Sequence, residues 1–243
     1  EHPQDLVDRA QYGGLAGHAR LGAADYALVF HDKVNGRTAY SFCMCPGGLV
    51  VAAASELGGV VTNGMSHYRR ATGIANSALV VNVDPADFGN GVLAGIEFQR
   101  HYERLAYEAG GRNYAAPVQT VGDLLAGKSG SASYLVKPSY QPGIRPVDLR
   151  TCLPDFVAGT LARALPDFGR KMKGFDHPQA VMTGVETRTS APVRIVRGSD
   201  FMSINTQGLY PIGEGAGYAG GIMSAALDGL NAALAVMKEY KPF

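Results

Sequence analysis

The sequence predicts a mixed α/β fold: a strand-rich start, a more helical middle, and a return to strands before one long helix. Three observations carry that prediction. Short β-prone runs punctuated by glycine pairs fill the first third. Apolar residues at helical spacing dominate the middle. Near the end an apolar run, a glycine-rich turn and a long apolar helix follow one another. With 243 residues, 46% of them hydrophobic, the chain is long enough to bury the core of one large domain or two small ones.

Residues 4–11 read as a short helix. Residues 26–30 and 38–42 are β-prone and flank Asn35-Gly36, a pair suited to the positive φ of a hairpin turn. Residues 49–53, 60–62 and 78–83 are further strands, separated by Gly47-Gly48, Gly58-Gly59 and Asn63-Gly64. In the middle, Phe98, Tyr102, Leu105 and Ala109 share a helix face, and Gly110-Gly111 stops it. Residues 120–126 form a second short helix. A loop rich in serine, glycine and proline follows, from Ser129 to Pro146. The clearest amphipathic helix comes next: Val157, Thr160, Leu161, Ala164, Leu165 and Phe168 form its stripe, Pro154 and Asp155 start it, and Pro166 is expected to end or bend it. Residues 180–185, 193–196 and 209–212 read as strands. The final helix carries Ile222, Ala225, Ala226, Leu230, Ala233, Leu234 and Met237 on one face. Asp228 and Asn231 interrupt residues 219–236, which argues for a packed helix and against a membrane span.

Charge excludes some partners. Charged residues make up 18% and the net charge is +1, so no strong field draws nucleic acid or an anionic membrane. Cys43, Cys45 and Cys152 are too few for a secreted disulfide framework and point to a reducing, cytoplasmic setting. Cys43 and Cys45 would share one face of a strand but bridge poorly at this spacing, and they read as two small buried residues. No histidine pair has metal-ligand spacing, so no metal is expected. Arg69-Arg70 and the group Arg170, Lys171 and Lys173 read as solvated faces.

The stretch from Gly208 to Ile222 carries the functional argument. It reads as a strand, an acidic residue at the strand's end, a glycine-rich turn and a helix start. A carboxylate there can accept hydrogen bonds from ligand hydroxyls. Glycines let a ligand approach the backbone, and a helix N-terminus stabilises phosphate or a developing negative charge. The same pattern also serves as a plain tight connection between strand and helix.

This stretch resembles the second FAD motif of two-motif flavoproteins. More narrowly, the chain resembles the uncharacterised family of bacterial FAD-dependent dehydrogenases. The resemblance rests on the Gly213 to Ile222 run together with Ser41-Phe42-Cys43-Met44-Cys45-Pro46-Gly47-Gly48, Asn63-Gly64-Met65-Ser66, Gly95-Ile96-Glu97-Phe98-Gln99 and Gly184-Val185-Glu186-Thr187-Arg188-Thr189-Ser190-Ala191-Pro192. It implies FAD as cofactor, with Glu214 near the ribityl chain or pyrophosphate and the residues from Gly217 onward near the flavin ring. The candidate cofactor-binding residues are therefore Gly213, Glu214, Gly215, Gly217, Tyr218, Ala219, Gly220, Gly221 and Ile222. Glu186, Arg188 and Ser190 are the catalytic candidates, in a loop facing flavin or substrate. The plain alternative puts Glu186 and Arg188 on a solvated strand face.

The resemblance also implies a domain order: a strand-rich substrate-side domain over 1–89, a helical insertion over 90–175, and over 176–243 the returning piece of a Rossmann-like FAD domain. Family members begin with a strand and a Gly-x-Gly-x-x-Gly turn. Here the chain begins Glu1-His2-Pro3 without such a turn, so it is expected to be the C-terminal portion of a FAD-dependent oxidoreductase acting on a small molecule. FAD is then expected in the full-length protein, and self-association through the surface left by the missing half. Two alternatives stand beside this: a fragment that binds a ligand or partner without redox activity, and a flavoprotein acting on nucleic acid.

Overall fold

The computed structural model describes residues 1–240. In chain order the elements are β1 (His2–Pro3), α1 (Gln4–Tyr12), β2 (Val29–His31), β3 (Thr38–Cys45), β4 (Gly48–Ala52), β5 (Thr62–Ser66), β6 (Ile74–Val81), α2 (Pro85–Phe88), α3 (Ala94–Gly110), β7 (Ala116–Thr120), α4 (Val121–Ala126), β8 (Ile144–Pro146), α5 (Asp155–Lys171), β9 (Val181–Thr183) and α6 (Ile222–Glu239). The fold is mixed α/β, with mainly antiparallel sheets. It divides into two compact units. The first holds Glu1–Val83 and Arg100–Thr187; the second holds Asp84–Gln99 and the residues from Arg188 onward. These bounds differ from 1–89, 90–175 and 176–243, because most of the middle stretch packs with the first strands. That stretch is also not purely helical, since it contains β7 and β8.

In the first unit β1, β6, β3 and β2 form an antiparallel sheet in the order β1-β6-β3-β2, and β4 and β5 form a separate hairpin. The expected hairpin at Asn35-Gly36 joins β2 to β3, with Gly36 at φ 71°. Its tip is tied to α5: Asn35 Nδ2 donates to Thr160 Oγ1 at 2.8 Å, and the Arg163 guanidinium donates to the buried Asp32 carboxylate. Phe168 and Leu165 of α5 anchor the core beside Phe175, Val7 and Tyr26. Pro166 does not end α5, which continues to Lys171. Burial of Leu165 and Phe168 on either side of it outweighs the one backbone hydrogen bond that proline removes. A second core lies under the sheet β8-β7-β9, where β7 runs parallel to β8 and antiparallel to β9. Val60, Ala106, Ala116, Leu149, Cys152 and Val185 fill it.

The second unit departs from expectation. Residues 193–196 and 209–212 are not strands; the only pairing there, among the described residues, is an isolated bridge between Arg197 and Ser203. A β-prone sequence needs a neighbouring strand to complete its ladder, and none lies beside these segments within their unit. The long helix α6 forms as expected. Its apolar stripe is uncovered, however: Ile222, Met223, Leu227, Leu230, Leu234 and Met237 are all exposed, and Ala232 is its one buried residue. No described helix is long and apolar enough to cross a membrane.

Candidate functional site

The first unit brings together three segments far apart in sequence: the end of β3, strand β5, and the run from Gly184 to Thr187. The end of β3 is irregular. Its register against β6 slips between Phe42 and Cys45, leaving a bulge, and Cys43 sits there at φ 44°. In place of two buried cysteines on one strand face, Cys43 is exposed and Cys45 half-buried, because the bulge breaks the strand's alternation. None of the three cysteines forms a disulfide. The turn that follows depends on Gly47: at φ 49°, a Cβ built on it would lie 1.8 Å from the Arg70 carbonyl oxygen.

Cys45 is the cross-strand neighbour of Asn76 on β6. Both pack onto the bare backbone of Gly64 in β5, where a built Cβ would lie 2.5 Å from Asn76 Oδ1 and 3.0 Å from Cys45 Sγ. The Cys45 thiol donates to the Cys43 carbonyl at 3.2 Å. Burial pushes this thiol above its usual range. A hydrogen bond with Ser66 and the Arg70 charge pull the other way, and Cys43 and Glu186 push with burial. The Asn76 carboxamide is 3% exposed, and its Nδ2 has no acceptor.

The Gly184 to Thr187 run reaches the same place because Thr62 N donates to the Val185 carbonyl at 2.9 Å. Thr187 Oγ1 donates to the buried Glu103 carboxylate at 2.7 Å. Between them Glu186 makes neither a hydrogen bond nor an ion pair among the described residues. Burial alone pushes its carboxyl up to about 7, because water that would solvate the anion is displaced and nothing charged replaces it. The run lies beyond the end of β9 and is not a solvated strand face.

Arg188 and Ser190 belong to the second unit, as do all the candidate cofactor residues. There the Ser190 carbonyl accepts from Gln99 Nε2 at 3.4 Å. The glycine run is pinned by a pair that pattern reading overlooked. Arg197 donates to Asp228 of α6 through both terminal nitrogens, at 2.9 and 2.5 Å, and to the Pro211 carbonyl at 2.7 Å. Asp228 in turn accepts from the Gly213 N–H at 2.8 Å. The Arg197 guanidinium sits over the Tyr218 and Phe201 rings, and Arg194 Nε donates to the Gly217 carbonyl. Asp228 in an otherwise apolar helix was the signal for this pair, since a largely buried acid needs a donor.

The glycine run leaves open groups of the kind that the resemblance requires for FAD. Glu214 has no side-chain hydrogen bond or ion pair among the described residues. The Cβ directions of Gly215 and Gly220 are open. The N-cap of α6, Gly221, supplies no side chain to the first N–H groups of the helix, so these stay available to an anion. Elsewhere, a hollow of about 410 Å³ in the first unit is lined by Ala52, Leu57, Tyr114, Tyr140 and Pro142, and contains none of the residues expected to function.

Comparison with known proteins places the chain in a family by a match that does not reach the glycine run. Residues 1–189 match the family described as FAD-dependent protein, C-terminal domain-like. The match ends before the glycine run. A similar protein, an uncharacterized protein of Clostridium beijerinckii, is 52% identical over 241 residues, which is 99% of this chain and 45% of that relative. The chain thus spans about half the length of the relative it matches.

Proposed function

Because this chain belongs to the FAD-dependent protein, C-terminal domain-like family, we propose that it is the substrate-side and flavin-contacting portion of a larger cytoplasmic FAD-dependent oxidoreductase, a dehydrogenase of small molecules. Beyond the family, the observation that supports this reading is Glu186: a sheltered carboxyl with no partner, able to exchange a proton near neutral pH. Groups with that combination are typical of sites that move protons.

In this proposal FAD, when bound, would supply the redox chemistry. Glu186, taken by itself in the first unit, would be the group that takes or returns a substrate proton. The Cys45 thiol, kept protonated by burial, offers a neutral wall beside it. Glu214 would receive hydroxyl groups of the cofactor, and the first N–H groups of α6 would be free for an anionic part of it. The Arg197–Asp228 pair positions that run by holding the Gly213 backbone and the Tyr218 ring. In the second unit, Arg188 and Ser190 would be further substrate-facing groups.

A visible absorption spectrum tests the proposal. The full-length protein and this chain are each incubated with FAD and desalted. The full-length protein is expected to keep the flavin band. A colourless full-length protein that takes up no FAD would refute the oxidoreductase reading; a band retained by this chain alone would extend that reading to the isolated portion.

A further inference from the structure

We propose that Cys43 and Cys45 form a reversible dithiol centre, which reduces a small external disulfide and closes a bridge between its own two sulfurs. The centre needs no flavin, so it stands apart from the function proposed above. Both cysteines lie in the first unit, at the end of β3. On a regular strand two cysteines one residue apart point the same way at roughly 6.6 Å, too far for a bridge. β3 is not regular there. Its pairing with β6 passes from Phe42 opposite Ala78 to Cys45 opposite Asn76, so the bulge holds one extra residue, and Cys43 takes φ 44°. The two side chains are therefore no longer held parallel. The Cys45 thiol folds back and donates to the Cys43 carbonyl at 3.2 Å. That contact puts the Cys45 sulfur within about 6 Å of the Cys43 Cα, so rotation of the two side chains brings sulfur to sulfur. Gly64 keeps the place open: it offers bare backbone to Cys45, and a built Cβ would lie 3.0 Å from the Cys45 sulfur.

The surroundings give the two thiols different roles. Cys43 is exposed and can be reached by an external disulfide, whereas Cys45 is half-buried. Burial keeps Cys45 protonated at rest, while Ser66 and the Arg70 charge favour its thiolate once a sulfur target stands beside it. In the first step the Cys43 thiolate attacks one sulfur of the external disulfide. The old S–S bond breaks, one thiolate leaves, and a mixed disulfide remains on Cys43. Cys45 then loses its proton to solvent and attacks the Cys43 sulfur, which closes the internal bridge and releases the second thiolate. The chain has given up two electrons and two protons, and the external disulfide has become two thiols. A bridge across one intervening residue is strained, and strained disulfides are readily reduced again, which suits a centre that cycles.

The test incubates the fully reduced chain with glutathione disulfide under anaerobic conditions, quenches with iodoacetamide at intervals, and maps the cysteines by peptide mass. The native chain should pass through a glutathione adduct on Cys43 and end with a Cys43–Cys45 bridge, which dithiothreitol reverses. Cys152, 0% exposed, should remain a thiol throughout and serves as the internal control. Cys45→Ser should stop at the Cys43 adduct. Cys43→Ser should react about tenfold or more slowly, because its remaining site thiol is sheltered. Circular dichroism checks that both variants fold, and the bridge in the native chain is decisive without them. The proposal is overturned if the native chain keeps glutathione on Cys43 without closing a bridge, if Cys43→Ser reacts as fast as the native chain, or if neither Cys43 nor Cys45 reacts.

Discussion

Three carboxylates show how local environment assigns different work to one side-chain type. Asp32 and Asp228 each accept from an arginine, and that hydrogen bond holds both carboxyls below the usual range. Such groups stabilise the fold above the ordinary carboxylate pKa and lose that contribution as pH falls through their depressed values. Asp228→Asn should therefore destabilise the second unit by about 2–3 kcal/mol at neutral pH, since it leaves Arg197 largely buried without its counter-charge. Thermal melts should show this loss shrinking in acid. Glu186 has the opposite sign. Its folded pKa, about 7, lies above its ordinary 4.5, so the folded state holds the proton more tightly and stability falls as pH rises across that window. Glu186→Gln removes this penalty. Melts at pH 5 and pH 8 should show the variant gaining on the order of 2 kcal/mol relative to the native chain at the higher pH. An unchanged difference between the two pH values would mean that Glu186 is not sheltered.

Among the elements, strand β3 matters most to the site. A regular strand would carry Cys43 and Cys45 on one face; the bulge exposes one and leaves the other beside Gly64 and Asn76. The turn after β3 then returns the chain into β4 through Gly47, whose missing side chain admits the Arg70 carbonyl. Gly47→Ala combines an unfavourable positive φ with a backbone clash. It should lower stability by at least ~3 kcal/mol or prevent folding, as denaturant unfolding would reveal. A melt close to that of the native chain would contradict the packing described for this turn. Helix α5 illustrates the converse, a local rule overridden. Pro166 is tolerated because the helix is held by buried neighbours and by the pairing of Asp167 with Arg170 and Lys171 in its last turn.

At the scale of the whole molecule, α6 is the unfinished part. Its exposed residues recur three and four positions apart, through Met223, Leu227, Leu230, Leu234 and Met237, so they form one apolar seam along the helix. Its own unit covers the opposite side, where Asp228 and Ala232 lie. We expect two copies of the isolated chain to associate through this seam. Light scattering should report a mass above that of one chain, and Leu230→Glu with Leu234→Glu should return it to the monomer. A native chain that runs as a monomer would show that the seam does not pair with itself.

What the sequence determined by itself was whatever depends on short-range pattern. The amphipathic stripe of α5, the Asn35-Gly36 hairpin and the strand β6 were legible because period and turn chemistry are local. That the family is FAD-dependent was legible through long motifs, and the match over residues 1–189 agrees to that extent. Tertiary structure decided the rest. Strands β7 and β8 were unread because Pro117 and Pro146 disguise them: β7 is buried along its whole length without alternation, and β8 is only three residues long. Residues 209–212 had strand composition but no partner to pair with in their unit. The meeting of Cys45, Gly64, Asn76 and Glu186 has no trace in spacing, because sheet register and the Thr62–Val185 hydrogen bond set it. Nor does sequence reveal that Glu186 stands alone: a side chain's polarity is local, but the water and partners it loses are settled only by what folds around it.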